Sequence, residues 1–173
     1  MKNKENHPKD AFVGAFDLHS NAIFRYCLYR IGDREKALDM SQDTFMKAWK
    51  FISLGGSVEN MKAFLYKIAT NLIIDEYRRR KSPESLDNLL EEKGFEPSID
   101  EYEHMINRLD AEQALAMLSQ IPEPYKQALG MRFVEDLSLK EISEITGESE
   151  NTIAVRIHRG LAKLVKIFKH QND

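Results

Sequence analysis

SLKEISEITGESENTIAVRIHRGLAKLVKIFKH, Ser138 to His170, is the stretch that decides the fold class of this chain. Two amphipathic helical patterns lie on either side of a glycine. Ser138 followed three residues on by Glu141 has the spacing of a capping box at a helix start. Leu139, Ile142 and Ile145 give the first helix its apolar stripe, and Gly147 suits the left-handed backbone of a sharp turn. In the second helix Ile153, Ile157, Leu161, Leu164 and Phe168 share one side. Arg156, Arg159, Lys163, Lys166 and His170 share the other, at +3, +7, +10 and +14 from Arg156. A short helix, a tight turn and a second helix with a cationic outer face make a helix-turn-helix layout suited to the DNA major groove. The competing reading is a solvated amphipathic helix with no ligand.

Working outward, the remaining sequence is helical as well. Phe24, Cys27, Leu28 and Ile31 recur at helical spacing until Gly32-Asp33 breaks them. A second helix starts near Asp33 and carries Phe45, Ala48, Trp49 and Ile52. LGGS, Leu54 to Ser57, is a loop by composition. A third helix runs from about Glu59 with Leu65, Ile68, Ala69 and Leu72 as its buried stripe, and Ser82-Pro83 stops it after the cations Arg78 to Lys81. Residues 82–108 hold two prolines and most of the acidic excess, which predicts a flexible acidic linker with one helical turn near Leu86–Leu90. Past Leu109, Ala111, Ala114, Leu115 and Leu118 form a stripe, Pro124 suits a first helical turn, and Leu129 and Phe133 extend the core. No period-two pattern persists, so the expected fold is all-α, with two small helical domains at 11–81 and 109–170.

The net charge of −3 misleads until it is divided. Residues 1–81 carry a net +5, residues 82–110 a net −7 and residues 111–173 a net −1, with a local +3 over Glu148 to His170. Two basic blocks flank an acidic middle, and local charge sets the attraction to phosphate. On the third helix Lys67, Asn71, Arg78 and Lys81 fall on one line, with Tyr66 and Tyr77 close beside it. Cations for phosphates, an amide for a base edge and rings for stacking suit opened DNA. The alternative is a solvated helix whose tyrosines complete the core. The second helix instead shows Asp39, Gln42 and Asp43 together, with Glu35 one turn earlier, a face that suits a basic protein or water.

Other chemistries find little support. The five histidines, at 7, 19, 104, 158 and 170, form no metal-ligand spacing, and neither a Gly-rich phosphate loop nor a nucleophile elbow occurs. No metal, cofactor or enzymatic activity is expected. A single cysteine, Cys27, excludes an internal disulfide framework, the N-terminal residues carry no apolar signal segment, and no apolar run is long enough to span a membrane. A cytoplasmic protein is the expectation.

YCLYRIGDREKALDMSQDTFMKAWKFI with MKAFLYKIATNLIIDEYRRRK, and then ALAMLSQIPEPYKQALGMRFVEDLSLKEISEITGESENTIAVRIHRGLAKL, resemble regions two and four of the extracytoplasmic-function sigma factors of bacterial RNA polymerase. The resemblance covers about residues 11–81 and 109–168, in the family's order. It implies a promoter-specificity subunit that melts the minus-10 element with its first domain and reads the minus-35 element with its second. Asp39, Gln42 and Asp43 match the family's grip on the clamp coiled coil of the core polymerase. Trp49 matches a core aromatic. The loop 54–60, with Ser57 and Asn60, matches the pocket for a flipped minus-10 base, and Lys67, Asn71, Asp75, Arg78, Arg79 and Arg80 match the lining of the melted strand. Ser149, Asn151, Thr152, Val155, Arg156, His158 and Arg159 match the minus-35 reading surface, which Lys163 extends. Implied partners are core polymerase, through its clamp and flap, promoter DNA and an anti-sigma factor. Two departures stand out: Ala154 and Val155 replace a common cation and a small residue, and Glu148 and Glu150 add acid to the turn. The rival assignments are a helix-turn-helix regulator that binds DNA without core polymerase, and an RNA-binding module.

Overall fold

The computed structural model describes residues 8–80 and 98–172. All regular elements among them are helical: α1 Pro8–Ile31, α2 Arg34–Ser53, α3 Met61–Arg80, α4 Ile99–Arg108, α5 Ala111–Ser119, α6 Glu123–Leu129, a π-helical turn Gly130–Val134, α7 Leu139–Thr146 and α8 Glu150–Asn172. They form two compact units that divide mainly at Tyr77–Arg78.

In the first unit α1 and α2 reverse direction in two residues. Gly32 takes a left-handed φ of 71°, which a Cβ would strain. Asp33 then caps α2 by accepting from the Lys36 N–H at 3.1 Å. The reversal lays the buried stripes of α1 and α2 against each other, and α3 closes the core. Tyr26 on α1 is fully buried. Its ring meets that of Tyr66 edge-on at 5.1 Å, and its hydroxyl lies 2.8 Å from the Thr70 hydroxyl and accepts from Arg30 Nη1 at 2.7 Å. Buried polar groups hold their place only when paired in this way. Lys36 bridges to Glu76 at 3.0 Å, and the Tyr77 hydroxyl donates to the Arg30 carbonyl.

In the second unit three helices start on capping boxes: Ser98 with Glu101, Asp110 with Gln113, and Ser138 with Glu141. The first of these lies where the sequence reading expected flexible linker. Residues 99–108 form α4, whose Met105 is buried in a cluster with Met117, Val165 and Phe168. The rest of the expected linker, including the turn at Leu86–Leu90, lies outside the described residues. Of the expected stripe on α5 Leu118 is buried, joined by Met117, whereas Ala111 and Ala114 are exposed, not core. Phe133 is likewise not core. The π-helical turn adds one residue to the helical repeat and takes Phe133 out of phase with Leu129, leaving it 59% exposed, while Met131 is fully buried. The same turn lets the Glu135 N–H reach the Gly130 carbonyl and the Leu137 N–H reach the Met131 carbonyl.

The helix-turn-helix follows. Ile142 and Ile145 are buried on α7, and Gly147 ends that helix at φ 76°. The Ser143 hydroxyl donates to the Glu148 carbonyl at 2.6 Å, and Ser149 caps α8 by accepting from the Thr152 N–H at 3.1 Å. Helix α6 crosses α8 at Gly160, where a Cβ would stand 2.8 Å from Leu129 Cδ1. Glycine at that position is a close-packing requirement.

Candidate nucleic-acid interface

Three surfaces carry the residues singled out by sequence. On α2 the inward face buries Ala37, Met40, Ser41, Thr44, Phe45 and Ala48. That burial turns Asp39, Gln42 and Asp43 outward, all exposed, with Glu35 beside them. Met46, 69% exposed, lies one turn beyond Gln42 and Asp43, at the C-terminal end of this acidic face. It is the residue the sequence reading missed there, although its position off the apolar stripe was the available signal. The face offers carboxylates for cations with one flexible apolar contact at its end, which suits a basic protein surface better than DNA. Trp49, expected in the core, is 37% exposed and leans on the Phe12 ring at 5.1 Å.

The second surface runs along α3 and the loop before it. Lys67, Asn71, Asp75, Arg78, Arg79 and Arg80 are all exposed; Lys81 lies outside the described residues. The stacking role expected of Tyr66 is not available, since its ring is fully buried against Tyr26. Tyr77 is half-buried and tied to α1 through its hydroxyl. The tyrosines therefore belong to the core, and the exposed aromatic lies elsewhere. Phe51, 44% exposed, packs on Phe64 at 5.1 Å and covers Gly56 so closely that a Cβ there would overlap its ring. The loop is thereby pinned to α2 and α3, with Leu54 78% exposed at its tip. Ser57 is exposed in the loop. Asn60 is exposed too, but its side chain already caps α3 by accepting from the Ala63 N–H at 3.0 Å, which starts the helix at Met61, not Glu59.

The third surface is the outer side of the helix-turn-helix. Ser149, Asn151, Thr152, Val155, His158 and Arg159 are exposed, and Lys163 is half-exposed with its ammonium 5.5 Å from the centre of the Tyr125 ring. Arg156 differs from the free cation that the sequence suggested. Its Nη2 donates to Glu148 Oε1 at 2.7 Å and its Nη1 to Glu148 Oε2, a two-point ion pair in which both side chains are about one-third exposed. Farther along α8 Lys169 pairs with Glu101 of α4, and this bond holds the Glu101 carboxyl below the ordinary carboxylate range. In the first unit burial, reinforced by Lys62, lowers His19 from the ordinary imidazole value.

No group of three or more His, Cys, Asp or Glu side chains that could hold a metal ion occurs among the described residues, and no described helix is long and apolar enough to cross a membrane.

Comparison with known proteins assigns both units. Residues 15–82 match the family model for sigma-70 region 2, and residues 111–164 match that for sigma-70, region 4. The RNA polymerase sigma factor SigV of Bacillus subtilis (strain 168) is 32% identical over 173 residues, covering 100% of this chain and 99% of that protein. The sigma factor SigW of the same organism is 28% identical, with 96% and 93% of the two chains covered. Among solved structures, the sigma factor RpoE of Bartonella quintana, determined with the anti-sigma factor NepR, shares the fold at a TM-score of 0.69 and 22% identity, over 92% of this chain and 97% of that one. With regions 2 and 4 matched in order and a full-length relative above 30% identity, the chain belongs to the extracytoplasmic-function family of RNA polymerase sigma factors.

Proposed function

We propose that the three surfaces divide the work of promoter-specific initiation. The α2 face of Asp39, Gln42 and Asp43 grips the clamp coiled coil of core polymerase. The loop with Ser57 and Asn60 receives an unstacked minus-10 base, and the row Lys67, Asn71, Asp75, Arg78, Arg79 and Arg80 lines the opened strand. Helix α8 enters the major groove at the minus-35 element with Ser149, Asn151, Thr152, Val155, Arg156, His158, Arg159 and Lys163, while the second unit rests on the polymerase flap. The supporting observation is that none of these residues is buried, while the apolar stripes interleaved with them in sequence supply the core. Unstacking costs a few kcal/mol per base step, so capture of particular bases makes melting sequence-dependent. The protein has no catalytic role of its own and acts in the cytoplasm beside the polymerase. An anti-sigma factor, such as the one bound to the Bartonella protein, regulates it.

Run-off transcription with purified core polymerase tests the reading. Start sites should appear at a defined promoter class only when the chain is added. Promoter binding by the chain alone, with no core-dependent initiation, would instead support a helix-turn-helix regulator.

A further inference from the structure

The Glu148–Arg156 pair gives α8 a property that a row of cations lacks. Both partners are held at their backbones. Glu148 lies in the turn, where Gly147 is left-handed and the Glu148 carbonyl accepts from Ser143 Oγ, and Ser149 caps the helix that carries Arg156. The carboxylate takes the end of the guanidinium, one oxygen to each Nη. A guanidinium has five N–H donors in a rigid plane, so this contact leaves the Nε–H and its neighbouring Nη hydrogen as a second fork. The pair is electrically neutral, which removes its pull on a phosphate. What remains is a planar double donor, and in the major groove the matching double acceptor is the O6/N7 edge of guanine. Arg156 sits one turn after Thr152 and one before Arg159, amid exposed residues of the helix.

We propose that Glu148 is a positioning residue for base recognition: it fixes Arg156 so that the free fork addresses a guanine of the minus-35 element and not a phosphate. The proposal rests on α8 being the minus-35 reader. Glu148 is thereby a specificity determinant, and the acid by which the turn departs from the family's usual sequence serves base selectivity.

The test uses holoenzyme assembled from core polymerase and the full chain, with a duplex pool randomised upstream of a fixed minus-10 element. The selected duplex and its single-base variants are then titrated across a salt series. Wild type should require guanine at one position by roughly tenfold or more. Arg156→Ala should erase that preference and leave the salt slope unchanged. Arg156→Lys should erase it too, since an ammonium keeps the charge and loses the fork. Glu148→Gln should weaken the preference and steepen the slope by about one unit, because the released cation turns to a phosphate. Circular dichroism checks that all variants keep their helicity. A guanine preference that survives Glu148→Gln overturns the proposal, as does an Arg156→Ala slope about one unit shallower. If wild-type holoenzyme selects no upstream sequence at all, the minus-35 reading falls and the proposal with it.

Discussion

Arg156 and Arg159 stand one turn apart on α8, yet only Arg156 is paired with a carboxylate two residues before the helix begins. Arg159 is exposed, and on the proposed reading it contacts a phosphate, so its removal has a simple signature. Arg159→Ala should weaken binding across all promoter sequences and reduce the salt slope by about one unit, read from holoenzyme titrations at several salt concentrations. Gly147 tests the turn itself. At φ 76° an alanine pays the left-handed penalty, so Gly147→Ala should destabilise the chain by about 1–2 kcal/mol in urea unfolding. At this scale the sequence reveals the kind of residue more reliably than its circumstances. Gly147 and Ser138 were readable because caps and turns are local. Tyr66 was not, because its place beside the cations on the helical wheel says nothing of the Tyr26 ring that meets it from another helix.

The helices themselves were legible where an apolar stripe met a local stop or start signal, as at Gly32-Asp33 or Ser138 with Glu141. Helix α4 escaped detection for a physical reason. An acidic stretch precedes it and four of its own ten residues are charged, and the surface that orders Met105 lies largely on α8, some sixty residues away in sequence. Truncation at this contact measures the docking. Met105→Ala should lower the stability of the second unit by about 2–5 kcal/mol, checked by denaturant unfolding, whereas a mere linker residue would change it by less than about 0.5 kcal/mol. The π-helical turn escaped detection too. A constant period of 3.6 carries Leu129 forward to Phe133 as core, and the one extra residue in the turn takes Phe133 out of that phase.

For the molecule as a whole, charge is sorted by surface. The acidic face of α2 and the cationic row of α3 lie on separate helices, and on the proposed reading the first meets protein and the second nucleic acid. Reversing the first should separate them. Asp39→Lys with Asp43→Lys should cut core polymerase retention in pull-down by at least about tenfold, with far-ultraviolet dichroism unchanged because both carboxylates point to solvent. Cations on α8 are distributed differently. Arg156 is matched by Glu148, Lys169 by Glu101, and Lys163 lies over a ring. Sequence-independent adhesion grows with the number of phosphates neutralised, and a chromosome offers about a million or more competing addresses. With Arg156 and Lys169 held by carboxylates, fewer cations of the proposed recognition helix face that reservoir, which makes it a shallower one. On the proposed reading the chromosome should then hold back less of the free factor, so that its traffic onto promoters should follow the supply of polymerase more than the amount of DNA.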